Sequence, residues 1–154
     1  MTVAPMDISR EQRTELLASA DPESIQRLAE IALSYAFVSE SLVVTKKPET
    51  GLVMMQVREP VCKERFYLGE IAATRAEVLV NNEKGWAIRL GTDKATVLGA
   101  AILDAVCEIA HVDLLKIQKD VEALCIETAR VESISAIHEW NEISPTIVNF
   151  EELD

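Results

Sequence analysis

A change of hydrophobic period in the middle of the chain constrains the fold more than any other feature. Apolar residues recur at helical spacing before about residue 40 and after about residue 93, and between those limits they alternate. From Thr74 to Val80, Ala76, Val78 and Val80 share one face while Arg75, Glu77 and Leu79 share the other. Trp86, Ile88 and Leu90 then alternate with Ala87 and Arg89. Upstream, Ser41-Leu42-Val43-Val44-Thr45 is rich in β-formers, Lys47-Pro48-Glu49-Thr50-Gly51 has turn chemistry, and Leu52 to Val57 reads as an apolar strand. Pro60 breaks that strand and Arg65-Phe66-Tyr67-Leu68 resumes it, while Asn81-Asn82-Glu83-Lys84-Gly85 reads as a hairpin loop with glycine available for a positive φ. The expectation is an α+β fold with an antiparallel sheet of four to five strands over about residues 41–91, flanked by N-terminal and C-terminal helices.

The helices carry their own start signals. Ser9 with Gln12 three positions on is a capping-box pattern for a helix to about Ser19, and Asp21-Pro22 opens a second one with a stripe of Ile25, Leu28, Ala29, Ile31 and Ala32. Thr92-Asp93 can cap a helix from Lys94 that is apolar on nearly every side through Ile109. Such a helix is buried, here expected against the sheet and against something else. A further helix over about residues 112–136 has Leu114, Ile117, Val121, Leu124, Cys125 and Thr128 on one stripe and charge opposite, and Pro145 closes the helical part. One domain is expected over residues 1–154, with residues 1–8 and 146–154 as loose tails.

Charge narrows the partners. The formal net charge of -11 disfavours nucleic acid. Residues 42–94, with nine bases against seven acids, are the only basic stretch, and residues 111–154 hold ten acids and three bases. Hydrophobic residues make up 49% and aromatics 5%, so the core is aliphatic, and a mean hydropathy of +0.12 leaves apolar surface for a partner. No apolar run has the length of a membrane span, the N-terminus does not read as a signal peptide, and three cysteines in no metal or redox spacing suggest a reducing, cytoplasmic setting.

Self-contained chemistry is hard to find. The five glycines form neither GxGxxG nor GxxxxGK[ST], and no GxSxG elbow occurs. Cys107 with His111, and His138 with Glu142, have i, i+4 spacing but supply two ligands each, too few for a stable metal site, so none is expected. Cys107 and Cys125, in apolar helical company, read as inert thiols. Thr74, Arg75 and Arg89 are the candidate phosphate contacts, read as lying on the solvent side of neighbouring strands in the basic stretch. The competing reading for the arginines is cross-strand pairing with Glu77.

Three blocks resemble the G subunit of bacterial carbon–phosphorus lyase systems, in order and spacing. They are Glu49-Thr50-Gly51-Leu52-Val53-Met54-Met55-Gln56-Val57-Arg58; Glu64-Arg65-Phe66-Tyr67-Leu68-Gly69-Glu70 followed by Thr74-Arg75-Ala76-Glu77-Val78; and Gly91-Thr92-Asp93-Lys94-Ala95 leading to Ala101-Ile102-Leu103-Asp104-Ala105. The family usually has arginine where Thr92 stands, and another within the stretch that here reads Ser144-Pro145-Thr146-Ile147-Val148. If those arginines contact anionic substrate, this chain is a divergent member.

The resemblance implies a subunit that assembles with the H, I and J subunits into a phosphonate-degrading core complex. With H, I and the ATP-binding-cassette-like L protein it would support the step in which a phosphonate displaces adenine from ribose C1 of Mg-ATP, giving a ribose 1-phosphonate 5-triphosphate. Nucleosidase chemistry falls mainly to I, and radical C–P cleavage with its iron–sulfur cluster to J. This chain is then a transferase subunit that is not self-sufficient. It binds no cofactor of its own, with Mg-ATP as co-substrate of the complex. The alternative is a homodimeric small-anion-binding module, or a scaffold without catalysis.

Overall fold

The computed structural model describes residues 8–59 and 62–146. The expected tails therefore lie outside the described residues, apart from Ile8 and Thr146, and so does the break expected at Pro60. Eight elements build the body: helices α1 (Arg10–Ser19), α2 (Pro22–Leu33) and α3 (Ala36–Ser41), strands β1 (Val43–Arg58), β2 (Arg65–Val80) and β3 (Glu83–Leu90), and helices α4 (Lys94–Glu108) and α5 (Leu115–Ile143).

The start signals are realised in the helix caps. Ser9 and Gln12 form a reciprocal capping box on α1, Asp21 accepts from Ser24 N–H at 2.8 Å ahead of Pro22, and Asp93 accepts from Thr96 N–H at 3.0 Å. Those bonds hold the Asp21 and Asp93 carboxyls below the usual range, the Ser24 and Thr96 side chains leading in each case.

The α+β class is as expected, but the sheet has three antiparallel strands in the order β1-β2-β3 rather than four to five. Two readings account for the difference. Lys47-Pro48-Glu49-Thr50-Gly51 is not a turn but the middle of the 16-residue β1. An edge strand tolerates Pro48, and register shifts between Val44 and Glu49 absorb the irregularity. The second hairpin turn is only Asn81-Asn82, both left-handed at φ 48° and 67°, the pattern of a two-residue type I′ loop. Gly85 is therefore a strand residue. Its lack of a side chain serves packing, since a Cβ there would lie 2.1 Å from Ala101 O.

Helix α4 is the centre of the molecule, with every residue from Gly99 to Val106 buried. One side packs on β3 and β2 and the other on α2 and α1, so the second surface expected to cover this helix comes from the same chain. Small residues allow the approach: Gly85 and Ala101 toward the sheet, and Gly99 against Ile25 and Ala29 of α2. α5 closes the far side with Ile117, Val121, Cys125 and Thr128 buried, as its stripe foretold. Its bounds differ from the expected 112–136. Val112–Leu114 is a separate 3-10 turn, and the helix runs on to Ile143 with residues 130–143 exposed all round. The short α3 has no amphipathic period over its six residues and was not foreseen.

One polar network locks the layers. Asp104, fully buried on α4, accepts from Arg10 Nη2 at 2.8 Å, from Arg13 Nη2 at 3.2 Å and from Trp86 N–H at 3.2 Å. Arg13 also bonds Glu108. This network joins α1, α4 and the outer edge of β3. That edge is thereby covered rather than left open to another strand.

Candidate functional site

Strand register decides which candidate residues meet. Pairing sets Thr74 opposite Thr50 on β1 and Arg89 on β3, and these three point toward the helices. Thr74 is fully buried, with its hydroxyl 2.8 Å from Thr50 Oγ1 and 2.8 Å from Gly91 O. The Arg89 guanidinium bonds Leu17 O and, at 2.8 Å, Ala20 O at the C-terminal end of α1, where a cation meets the negative end of the helix dipole. Burial holds its pKa below the usual arginine value. The solvent-side placement read for Thr74 and Arg89 is thus corrected. A period of two puts Arg75, not its neighbour Thr74, on the outside, and Arg89 follows Thr74 across the ladder.

Arg75 does lie on the exposed face, in a row with Glu49 and Ile88. The two carboxylates near it are engaged by lysines. Glu77 pairs with Lys84 at 3.0 Å and Glu49 with Lys46 at 3.9 Å. Lys84, rather than an arginine, is the ion-pair partner of Glu77, because it projects from the next strand on the same face. It holds the Glu77 carboxyl below its usual range. Arg75 forms no ion pair among the described residues. Shallow grooves flank it on either side, one reaching Glu77, Lys84, Trp86 and Ile88, the other Glu49, Thr50, Gly51 and Val53. A planar guanidinium on a rigid strand beside a half-exposed indole can take an oxyanion in bidentate fashion.

The remaining motif positions serve mostly to shape the chain. Gly91 turns from β3 into α4 at φ +93°, a conformation that favours glycine, and its N–H reaches Ala72 O at 2.8 Å. Asp93 caps α4, and Asp104 is the buried hub. Gly69 sits at the register shift of the β1–β2 ribbon, opposite Met55, with Glu70 opposite Met54. Gln56 and Arg58 lie on β1 toward the far end of the same ribbon, opposite Tyr67 and Arg65. Thr92 is exposed just ahead of the α4 cap. Of the second departure, Ser144–Thr146 form a 3-10 turn, and Ile147-Val148 lie outside the described residues.

The thiols are quiet. Burial pushes Cys107 up to about 12 and Cys125 up to about 11. The His111 ring packs 4.5 Å from that of Phe37, and His138 Nε2 lies 3.2 Å from Glu142 Oε1. Among the described residues no group of three or more His, Cys, Asp or Glu is placed to hold a metal ion, and no helix is long and apolar enough to cross a membrane. Sequence reasoning missed the Asp104 hub and its arginines. A lone acid among aliphatics in a helix that otherwise reads as core was the available signal.

Comparison with known proteins adds what geometry alone does not. The chain is similar to the alpha-D-ribose 1-methylphosphonate 5-triphosphate synthase subunit PhnG of Rhizobium meliloti (strain 1021), at 38% identity over 86 residues. That alignment covers 54% of this chain and 55% of the relative, so the match spans about half the length of each. The family model described as phosphonate metabolism protein PhnG matches residues 8–153, nearly the whole chain and all of the body described above. With helix caps, sheet and central helix all inside the matched region, this chain belongs to the phosphonate metabolism protein PhnG family.

Proposed function

We propose that this chain is a subunit of a synthase that joins a phosphonate to ribose C1 of ATP, and that it lends the assembled site a wall rather than a complete set of catalytic groups. The family match over residues 8–153 carries this reading. In the reaction an oxygen of the phosphonate attacks C1, the C1–N bond to adenine breaks, and adenine leaves with the bonding pair and takes up a proton. The co-substrate is Mg-ATP, and the partners are the H, I and J subunits and the ATP-binding-cassette-like L protein. Such a displacement needs a triphosphate clamp and stabilisation of an oxocarbenium-like centre. On the outer sheet face Arg75 forms no ion pair among the described residues, which supports a contributing rather than self-sufficient role.

Within this reading Arg75 contacts a phosphonate or phosphate oxygen. Thr74 and Arg89 act one layer below, fixing β2 and β3 through Gly91, Leu17 and Ala20. In the reconstituted complex, Arg75→Ala should leave assembly intact. It should slow ATP-dependent adenine release with methylphosphonate by roughly 10- to 100-fold, as expected for a lost charge-assisted hydrogen bond of about 1.5–3 kcal/mol. Unchanged turnover in a fully assembled complex would remove Arg75 from the site. Failure of the complex to release adenine at all with the unaltered chain would remove the reaction.

A further inference from the structure

The outer sheet face holds an unpaired guanidinium and an exposed indole side by side. Arg75 on β2 lies opposite Ile88 on β3, and Glu77 lies opposite Trp86, so Trp86 is a diagonal neighbour of Arg75. Diagonal neighbours sit roughly 7–8 Å apart, a span that one small molecule can bridge. Trp86 and Ile88 are 44% and 41% exposed. With Arg75 they line a groove of about 350 Å³ that runs on to the Glu77–Lys84 ion pair. An apolar cavity of roughly 150 Å³ takes a benzene ring, so this groove has room for a ring and an anionic head together.

The neighbouring charges set how a ligand would lie. Lys46, Lys84 and Arg75 all act on Glu77, and Glu49 is the second acid of this patch, 3.9 Å from Lys46. Three bases against two acids leave +1, and the lysines take both acids. The groove on the β1 side of Arg75 carries the Glu49 carboxylate, which disfavours an anion and an apolar group alike. The β3 side offers the indole and Ile88 instead. An oxyanion held on Arg75 therefore turns its organic substituent toward Trp86. Because Glu77 is occupied by Lys84, that side offers a cationic substituent no free carboxylate.

We propose that Trp86 and Ile88 form a subsite for the carbon substituent of an organophosphonate whose oxyanion is held by Arg75, and that they set a preference for flat apolar substituents over small or charged ones. The inference rests on Arg75 as an oxyanion contact and deepens that reading. The guanidinium takes the phosphonate head, which every such substrate shares. The indole takes the part that differs, since its face is a stacking surface for planar groups. The platform is fixed from behind: the Trp86 N–H donates to buried Asp104 at 3.2 Å, and Arg10 bonds Lys84 O on the same strand.

Two measurements test this. In the full chain, the indole N–H resonance of Trp86, told apart from that of Trp140 by Trp140→Phe, is followed during titration with phenylphosphonate, methylphosphonate and inorganic phosphate. Phenylphosphonate should shift it and bind roughly 3- to 10-fold more tightly than methylphosphonate, as expected for one ring stacked on an indole. Inorganic phosphate should bind more weakly still. Equal binding of all three, or no shift with any, overturns the proposal. In the reconstituted complex, the ratio of kcat/KM for phenylphosphonate over methylphosphonate should fall roughly 3- to 10-fold with Trp86→Ala and recover with Trp86→Phe. A merely structural role would lower both values together and leave the ratio unchanged, which also overturns the proposal. Discrimination in the titration without adenine release by the unaltered complex would support the groove and remove the synthase reading. Adenine release without discrimination would do the reverse.

Discussion

At the scale of single residues, the most consequential side chain is one that no catalytic motif singles out. Asp104 is buried on the central helix and accepts from two arginines and a backbone amide. Replacing it by alanine leaves Arg13, mostly buried, with Glu108 as its remaining partner and the Trp86 N–H without its acceptor. Leaving a buried polar group without its partner costs about 1–3 kcal/mol, so Asp104→Ala should lower the urea midpoint of unfolding, and an unchanged midpoint would show the network to be dispensable. Cys107 makes a prediction of opposite sensitivity. Its thiol keeps its proton to about pH 12 when folded, against about 9 for an ordinary thiol. A raised folded-state pKa contributes stability in full below about pH 9 and loses it as pH rises toward 12. Thermal melts at about pH 8.5 and 10.5 should therefore show a larger alkaline loss for the unaltered chain than for Cys107→Ala. Equal losses would place the thiol in water.

At the scale of elements, the packing of α4 against β3 turns on a glycine. A Cβ at Gly85 would lie 2.1 Å from Ala101 O and 2.6 Å from Ala105 N, backbone atoms that cannot step aside. Gly85→Ala should therefore cost about 3 kcal/mol or more through overpacking. At Gly51 and Gly69 an added Cβ meets nothing within 4 Å, and alanine there should be close to neutral. Denaturation of the three variants side by side checks the contrast, and a tolerated alanine at Gly85 would mean that the helix does not approach the strand so closely. The sheet face was the hardest element to read. Alternation marks a sheet but not its strand count, and apolar Trp86, Ile88 and Leu90 look like the inward set and so place Arg89 outside, whereas Thr74 shares the period of Ala76 and Val78 and belongs inside. In the fold all three are exposed, and β3 meets α4 through Gly85 and Ala87, small residues that let the helix come close.

At the scale of the whole molecule, a compact body carries two extensions. The body is completed by its own helices, so the high apolar content does not leave α4 waiting for a partner. The unspent apolar surface is on the ribbon and on α5. Since residues 134–143 are exposed all round, ending the chain at Ser133 should shift the melting temperature by no more than about 4 °C, the equivalent of roughly 1 kcal/mol for a domain of this size. A larger drop would mean that the outer helix supports the body directly. The same separation explains why a family-wide match and a small set of unpaired surface groups coexist: most matched motif positions, from Gly91 to Asp104, build the body, and Arg75 is left to face outward.

Local chemistry sufficed for much of this. Capping residues announced α1, α2 and α4, an apolar stripe announced the buried face of α5, and the change of period announced a sheet between helices, because each of these signals acts within a few residues of chain. Strand count, sheet face and the fate of each arginine were decided only by tertiary structure. An edge position allowed β1 to run through Pro48, two left-handed asparagines shortened the turn that Gly85 appeared to supply, and register assigned Arg89 to the end of α1 while leaving Arg75 to solvent. Those outcomes depend on which backbone lies beside which. Such pairings join residues far apart in the chain, and no local pattern encodes them.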